Sequence, residues 1–331
     1  MSDKPLRAGV VGVGSMGRHH ARVYDELNDV ELVGVTDADP DRAEEIARQY
    51  DAAALDPDEL LATADAISIA VPTEYHYEFA TRAIDAGVHA LVEKPLVETP
   101  SRGTDLLERA RQEDVVLQVG HVERFNPAVR TLMDICVDLD VIAVEAQRLG
   151  PPINREIQDN AVFDLMIHDI DVILSLLDAP IESVSAFGAV ENRHITANLE
   201  FADGVVSTLT ASRVTQQKIR RLSITAEECR VNVDYLNQSI DVHRHSVPEY
   251  IEQNGDVRYR HESIIERPMV DNAEPLKEEL GSFVTAIRDG QEPVVTAEDG
   301  LRALEIARRV DDLARRDKVA LRPEVNVHET P

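Results

Sequence analysis

Tryptophan is absent from the 331 residues, and tyrosine and phenylalanine contribute only seven and six. The chain also carries 62 acidic against 34 basic residues, a formal charge of −28. It therefore lacks both the stacking platforms and the phosphate-attracting field that nucleic-acid binding needs. Cysteine occurs twice, at Cys136 and Cys229, too few for a disulfide scaffold or a Cys-rich zinc site. No run approaches the roughly 18 uncharged apolar residues of a membrane span, and none is expected. The amino terminus passes from Met-Ser-Asp-Lys straight into the apolar, glycine-interrupted segment Leu6–Val13, with no cleavage-type site after it. It reads as a first strand and not as a secretion signal, so the expected compartment is the cytoplasm.

Lysine is scarce as well: only Lys4, Lys94, Lys218, Lys277 and Lys318 occur, the remaining basic residues being arginine. Scarce lysine with abundant carboxylates resembles the proteins of salt-loving archaea, so the acidic surface is read as solvent adaptation and not as a face for a cationic partner. What is plentiful is globular material, 43% apolar and 29% charged. The length suits about two domains at roughly 150 residues each.

Through the first third, short β-branched runs alternate with amphipathic stretches. Strands are predicted at Leu6–Val13, Glu31–Thr36, Ala66–Ala70, His89–Val92 and Val115–Val119, and helices at Met16–Leu27, Asp41–Tyr50, Glu74–Ala86 and Ser101–Gln112. Such alternation implies right-handed crossovers and an α/β domain with a doubly wound parallel sheet. A helix over Asn126–Val137, opening Asn-Pro, leads out of it. After residue 140 the rhythm changes to strands at Val141–Arg148, Val184–Val190, Arg193–Phe201, Val205–Ser212, Ile219–Thr225 and Arg230–Val233, with a helix over Asp164–Leu177. That is the pattern of an α+β domain whose open, mostly antiparallel sheet is covered by helices on one face. Asp241–Arg267, with His243 and His245, is polar and poorly periodic and reads as a long hairpin or flap of open role. Helices Pro275–Arg288 and Ala297–Arg316 close the chain, followed by a loose tail after Pro323. With no repeat and no low-complexity linker, a packed junction is expected near residue 121, dividing 1–121 from 122–331.

Gly12-Val-Gly14-Ser15-Met16-Gly17 follows the first strand and opens the first helix. The first glycine allows the tight turn, the second a close backbone approach to a pyrophosphate, and the third close helix–strand packing. The helix N-terminus adds free N–H groups for phosphate. Asp37, at the end of the next strand and 20 residues after Gly17, is placed to bind both ribose hydroxyls. Its charge would repel a 2′-phosphate, favouring NAD over NADP, with Arg42 close enough in sequence to oppose that preference.

Two further segments carry candidate chemistry. Glu93-Lys94-Pro95 ends a strand at the edge where open α/β sheets hold ligands. Lysine there can release a proton where arginine cannot, although a strand-end lysine read alone is more often a surface charge. In Asp164-Leu-Met-Ile-His168-Asp-Ile-Asp171, Asp164, His168 and Asp171 share one helical face beside an apolar stripe. An acid one turn before a histidine can orient the ring and raise its basicity for general-base work. The same spacing also fits a polar helix face with a capping Asp, and no third or fourth metal ligand is marked, so no metal is expected.

With these pieces the chain resembles the Gfo/Idh/MocA family of oxidoreductases, on the glycine loop, Ala70-Val-Pro72-Thr73 with His76, Glu93-Lys94-Pro95, Gly120-His-Val-Glu-Arg124-Phe-Asn126-Pro127 and Asp164 with His168. The resemblance implies an N-terminal Rossmann domain and a second domain whose open sheet mediates homodimers or homotetramers. It implies Lys94, Asp164 and His168 as the catalytic group, all three facing substrate. Gly12, Gly14, Ser15, Met16, Gly17, Asp37, Pro72, Thr73, His76, Glu93, Lys94 and Arg124 would line the cofactor, with Arg124 and Asn126 near nicotinamide or substrate. The expected activity is hydride transfer from a secondary alcohol of a sugar to NAD. The Gly-His-Val-Glu-Arg-Phe-Asn-Pro version is similar to members acting on nucleotide sugars, C3 of UDP-N-acetylglucosamine included. Which of Lys94 and His168 accepts the proton is open at this stage. The rival expectations are an NAD-dependent glycosidase that oxidises C3 transiently, and a non-catalytic dinucleotide-sensing regulator.

Overall fold

A computed structural model describes residues 4–152, 160–245, 249–253, 256–260 and 263–315. The first 120 residues run β1 (Leu6–Val11), α1 (Gly17–Glu26), β2 (Val30–Thr36), α2 (Pro40–Gln49), β3 (Ala53–Ala54), α3 (Pro57–Thr63), β4 (Ala66–Ile69), α4 (His76–Asp85), β5 (His89–Glu93), α5 (Pro100–Gln112) and β6 (Leu117–Gly120). They form a six-stranded, all-parallel sheet of order β3-β2-β1-β4-β5-β6. The order reverses between β1 and β4, the switch point outside which such sheets hold ligands. β3 and α3 were not anticipated. Two residues give no periodicity, but α3 does carry a readable start signal: Asp56 and Glu59 form a reciprocal capping box around Pro57.

The second layer comprises α6 (Pro127–Cys136), β7 (Val141–Leu149), α7 (Ile167–Leu176), β8 (Ile181–Ala189), β9 (His194–Phe201), β10 (Val206–Ser212), β11 (Ile219–Ala226), β12 (Arg230–Asp234), β13 (Ser239–His245), β14 (Glu249–Gln253), β15 (Asp256–Arg260), β16 (Ser263–Glu266), α8 (Pro275–Asp289) and α9 (Ala297–Arg315). Its eight-stranded sheet has the order β16-β13-β12-β11-β7-β10-β9-β8. Every pair is antiparallel except β7 with β10, which is parallel. The polar stretch from 241 to 267 therefore supplies most of β13, the edge strand β16 and a separate β14–β15 hairpin. The expected loose tail after Pro323, and with it Lys318, lies outside the described residues.

One face of this sheet packs on α6, α7 and α9 in a core that includes Leu132, Ile170, Ile173, Phe201, Leu222 and Val310, all buried. The C-terminal helices also reach back. Leu280, Phe283 and Val284 of α8 pack with Val10 of β1 and with Val23 and Tyr24 of α1, and Leu304 of α9 joins the core around Leu106 and Val119. Helices α8 and α9 thus help seal the cores beside the parallel sheet, and α9 also packs in the core of the eight-stranded sheet.

Candidate active site

The glycine loop has the geometry its spacing predicts. Gly12 has φ +85°, and a Cβ there would fall 2.7 Å from Val71 Cγ1, so only glycine is comfortable. At Gly17 a Cβ would lie 1.8 Å from the Gly12 carbonyl oxygen, which fixes the loop against the first turn of α1. At Gly14, in contrast, a Cβ would meet nothing within 4 Å, so the bare backbone faces open space. The start of α1, at Met16, has no side-chain cap, leaving its N–H groups to an anion. Ser15 is exposed at this turn. Asp37 accepts from Val13 N at 2.8 Å and from Asp39 N at 2.9 Å, which ties the end of β2 to the glycine loop. Arg42 lies 3.1 Å from the same carboxylate, so its guanidinium is held by Asp37. A loop with an open backbone, a free helix terminus and a carboxylate at the next strand end fits a dinucleotide.

The other cofactor-side candidates divide. Pro72 is exposed and Thr73 half-buried, at the carboxyl end of β4 beside Gly12. His76 is buried, its ring nitrogens 2.9 Å from the carbonyls of Val71 and Pro95. Burial lowers its pKa, and the neutral ring can donate to one of the two carbonyls, so His76 joins the Val71 and Pro95 loops. Glu93 is likewise internal, bonded to His20 Nε2 at 3.0 Å and to the Lys94 N–H at 3.2 Å. Burial alone would raise its pKa, but His20 and the charge of Lys94 outweigh it and hold the group below its usual range. Asn126 caps α6 through Ala128 N and donates to Tyr235 O at 3.2 Å. Arg124 reaches Asp171 at 3.4 Å and Val294 O at 3.3 Å. Asn126 and Arg124 therefore both serve as internal braces, and Asn126 also lines a cavity of about 460 Å³. Asp171 is pushed up to about 7 by burial, against the opposing charge of Arg124.

The predicted meeting of the two halves is present. Lys94, at the end of β5, donates through Nζ to the Asp164 carbonyl at 2.9 Å and lies 3.5 Å from Asp164 Oδ1. Asp164 sits in a π-helical turn, Val162–Met166, closed by an Ile167 N–H to Val162 O bond. Single π turns collect at functional sites. The widened turn also corrects the expectation that Asp164 orients His168. Residues four apart no longer stack as in an α-helix, and the Asp164 carboxylate bonds to Lys94 and Arg213 instead. Burial would raise Asp164, but Lys94 and Arg213 keep it below the ordinary carboxylate range.

His168 is partly buried, with a buried Nδ1 that has no hydrogen-bond partner. Desolvation, then the charges of Lys94 and Arg148, depress its pKa well below 6.5. The ring is therefore neutral. Its neighbour His121 stands edge-on with centroids 6.2 Å apart, wholly buried, and is pushed down to about 3 by burial and the charges of Lys94 and Arg124. Beneath them Arg148 forks onto Asp169 at 2.7 and 2.8 Å and reaches Glu123 at 2.6 Å.

Sequence reasoning missed Arg213, His121 and this Arg148 cluster. His121 could have been found in the Gly120–Pro127 motif; Arg213 and Arg148 carry no local signal. Among the described residues no group of three or more His, Cys, Asp or Glu is placed to hold a metal, and no helix is long and apolar enough to cross a membrane.

Two family models match the chain. Residues 6–121 match the oxidoreductase family with an NAD-binding Rossmann fold, and residues 145–232 match the GFO/IDH/MocA C-terminal domain. The UDP-N-acetylglucosamine 3-dehydrogenase of Acidithiobacillus ferrooxidans is 36% identical over 243 residues, 72% of this chain and 77% of that protein. A solved structure of that enzyme superposes with a TM-score of 0.84 at 32% identity, covering 93% of this chain and 97% of the other. The inositol 2-dehydrogenase of Rhizobium meliloti is 28% identical over 319 residues, 91% of this chain and 94% of that one.

Proposed function

The chain belongs to the GFO/IDH/MocA family of oxidoreductases, and from that premise we propose that it oxidises a secondary hydroxyl of a sugar or nucleotide sugar. Position C3 of UDP-N-acetylglucosamine is the instance its Acidithiobacillus relative suggests. The observation that carries this reading is the junction of Lys94 with Asp164, one turn before a neutral His168, at the ligand-holding end of the parallel sheet. Of the three protons on the Lys94 ammonium, Asp164 engages at most two, which leaves a donor for a substrate oxygen. That cation stabilises negative charge developing on the oxygen as its proton leaves. His168, kept neutral, is in the form that accepts the proton.

Bound NAD+ supplies the hydride acceptor, held by Gly12, Gly14, Gly17, the first turn of α1 and Asp37. The engagement of Arg42 by Asp37 supports NAD over NADP. The enzyme is read as cytoplasmic, in keeping with two free cysteines. It is read as a homodimer or homotetramer through the open face of the eight-stranded sheet, where Phe187 and Val206 stand exposed.

The test is a substrate panel of nucleotide sugars, free sugars and inositols with NAD, run on the wild type and on Lys94→Ala. Net NADH formation is expected from the wild type. In the variant, kcat should fall by about 10²–10⁴, while calorimetric NAD affinity stays within about twofold. Glycoside cleavage without NADH accumulation would refute the reading, as would equal loss of NAD binding and turnover.

A further inference from the structure

At the end of the eight-stranded sheet that faces Lys94 lies a cavity of about 460 Å³ that the proposed chemistry does not use. Its cations are Lys218 and Arg220 at the start of β11, and His19 of α1 also lines it. Such a cluster is notable in a chain with a charge of −28. Neither Lys218 nor Arg220 has an ion pair among the described residues. Arg220 donates from Nη1 to the carbonyls of Leu149 and Ile219, leaving the rest of its fork free of protein partners. Two carboxylates also border the space, but both are engaged elsewhere: Glu123 with Arg148 at 2.6 Å and Glu274 with Arg22. An apolar part of the wall is supplied by Leu236 and Leu276, and Tyr235 also lines the space.

The sheet sets the distance from the chemistry. Ser212, Leu149 and Ile219 lie side by side across β10, β7 and β11. Ile219, flanked by Lys218 and Arg220, is thus two strand spacings, roughly 10 Å, from Ser212. The next residue, Arg213, holds Asp164 against Lys94. A hexose ring and the first phosphate on its anomeric carbon bridge a gap of that order. A free sugar would leave the cations unmatched, and a lone phosphate would leave the apolar wall bare.

We propose that this cavity receives the nucleoside diphosphate arm of the substrate, with Lys218 and Arg220 pairing with its phosphate oxygens and the base lying against Leu236 and Leu276. The assignment rests on the sugar-oxidising reading for the position of the ring, and it makes Lys218 and Arg220 determinants of specificity. Bidentate or point-charge contacts to phosphate are the ordinary work of Arg and Lys.

The probe is UDP, titrated calorimetrically into the full-length protein with saturating NAD, and used as an inhibitor against UDP-N-acetylglucosamine. UDP should bind and compete with the nucleotide sugar but not with NAD. Lys218→Glu, at an exposed position, should weaken UDP and raise the KM for the nucleotide sugar by at least about tenfold, Lys218→Arg should restore both, and Arg220→Gln should weaken UDP similarly. NAD affinity should not move. If the wild type oxidises UDP-N-acetylglucosamine while UDP neither binds nor competes, or while Lys218→Glu leaves both constants unchanged, the cavity assignment is wrong and the dehydrogenase reading survives. If UDP binds in a Lys218-dependent way but no sugar of any class is oxidised, the cavity assignment stands and the dehydrogenase reading falls.

Discussion

Cofactor choice offers the sharpest quantitative test, because the charges that decide it are fixed by short contacts. A 2′-phosphate brings about −1.5 to −2 charges. Two unit charges 4 Å apart interact by about 4 kcal/mol at an effective dielectric of 20, and by about 1 kcal/mol in water. The Asp37 side chain is only 7% exposed, which argues for the stronger regime, but Arg42 at 3.1 Å neutralises part of its field. The net penalty on NADP is then about 2–3 kcal/mol, or roughly 30- to 150-fold in kcat/KM relative to NAD.

Asp37→Asn removes the charge and keeps a carbonyl for the Val13 N–H that the carboxylate now accepts at 2.8 Å. It also releases Arg42 to meet the phosphate. Steady-state kcat/KM for both cofactors should then converge to within about tenfold, and adding Arg42→Ala to Asp37→Asn should remove the gain for NADP, a coupling that the double-mutant cycle reads directly. An unchanged cofactor ratio in Asp37→Asn would refute the electrostatic reasoning. So would a wild type that already prefers NADP.

Three further outcomes follow from the buried charges. Because His168 must be neutral to accept a proton and its pKa is held well below 6.5, the acidic limb of kcat/KM against pH should fall well below 6.5; a limb centred there would identify a solvated base instead. His121, with a folded value of about 3 against about 6.5 unfolded, binds its proton only in the unfolded chain between those values. Stability should therefore decline as pH falls through 6.5, with this residue contributing about 2 kcal/mol of loss by pH 5; denaturant unfolding of His121→Phe should show a correspondingly shallower decline. Arg148→Met leaves the Asp169 carboxylate, 3% exposed, without its partner and should cost about 3–5 kcal/mol in denaturant unfolding, most of it recovered in the double variant with Asp169→Asn.

What the sequence made legible was local. The glycine loop, Asp37 and the strand-end Lys94 could be read because turn chemistry and strand–helix alternation are written within about 30 residues. The partners that tune the site could not. Arg213 reaches Asp164 across 49 residues and Lys94 reaches it across 70, distances that no periodicity spans. The sequence put Asp164 and His168 on one regular helix, whereas Asp164 lies in a π turn that runs into α7, and this changes which neighbour the carboxylate meets. Asn126 and His76 show the converse: motif residues whose polar atoms are taken up inside the fold. The parallel β7–β10 pair escaped for a similar reason, since strand order depends on the crossover made by the intervening chain and not on either strand's pattern.

The arrangement of charge explains why a strongly acidic chain can run chemistry that develops a negative oxygen. Its surface field is negative, yet Lys94, Arg213, Arg148 and Arg220 converge where the two sheets meet, with side chains largely withdrawn from water. The carboxylates among them are each bonded to one of these cations: Asp164 to Lys94 and Arg213, Asp169 and Glu123 to Arg148. The depressed pKa values of His168 and His121 report the same local field, since each responds to the cation Lys94 as well as to burial. A field that disfavours protonated histidine is also one that favours an alkoxide. The two effects share a source, so removing the charge at Lys94 should raise the His168 pKa as it slows turnover. An NMR titration of His168 in Lys94→Met should therefore show an upward shift; no shift would mean that desolvation alone keeps the ring neutral and that the cationic field does not govern the site.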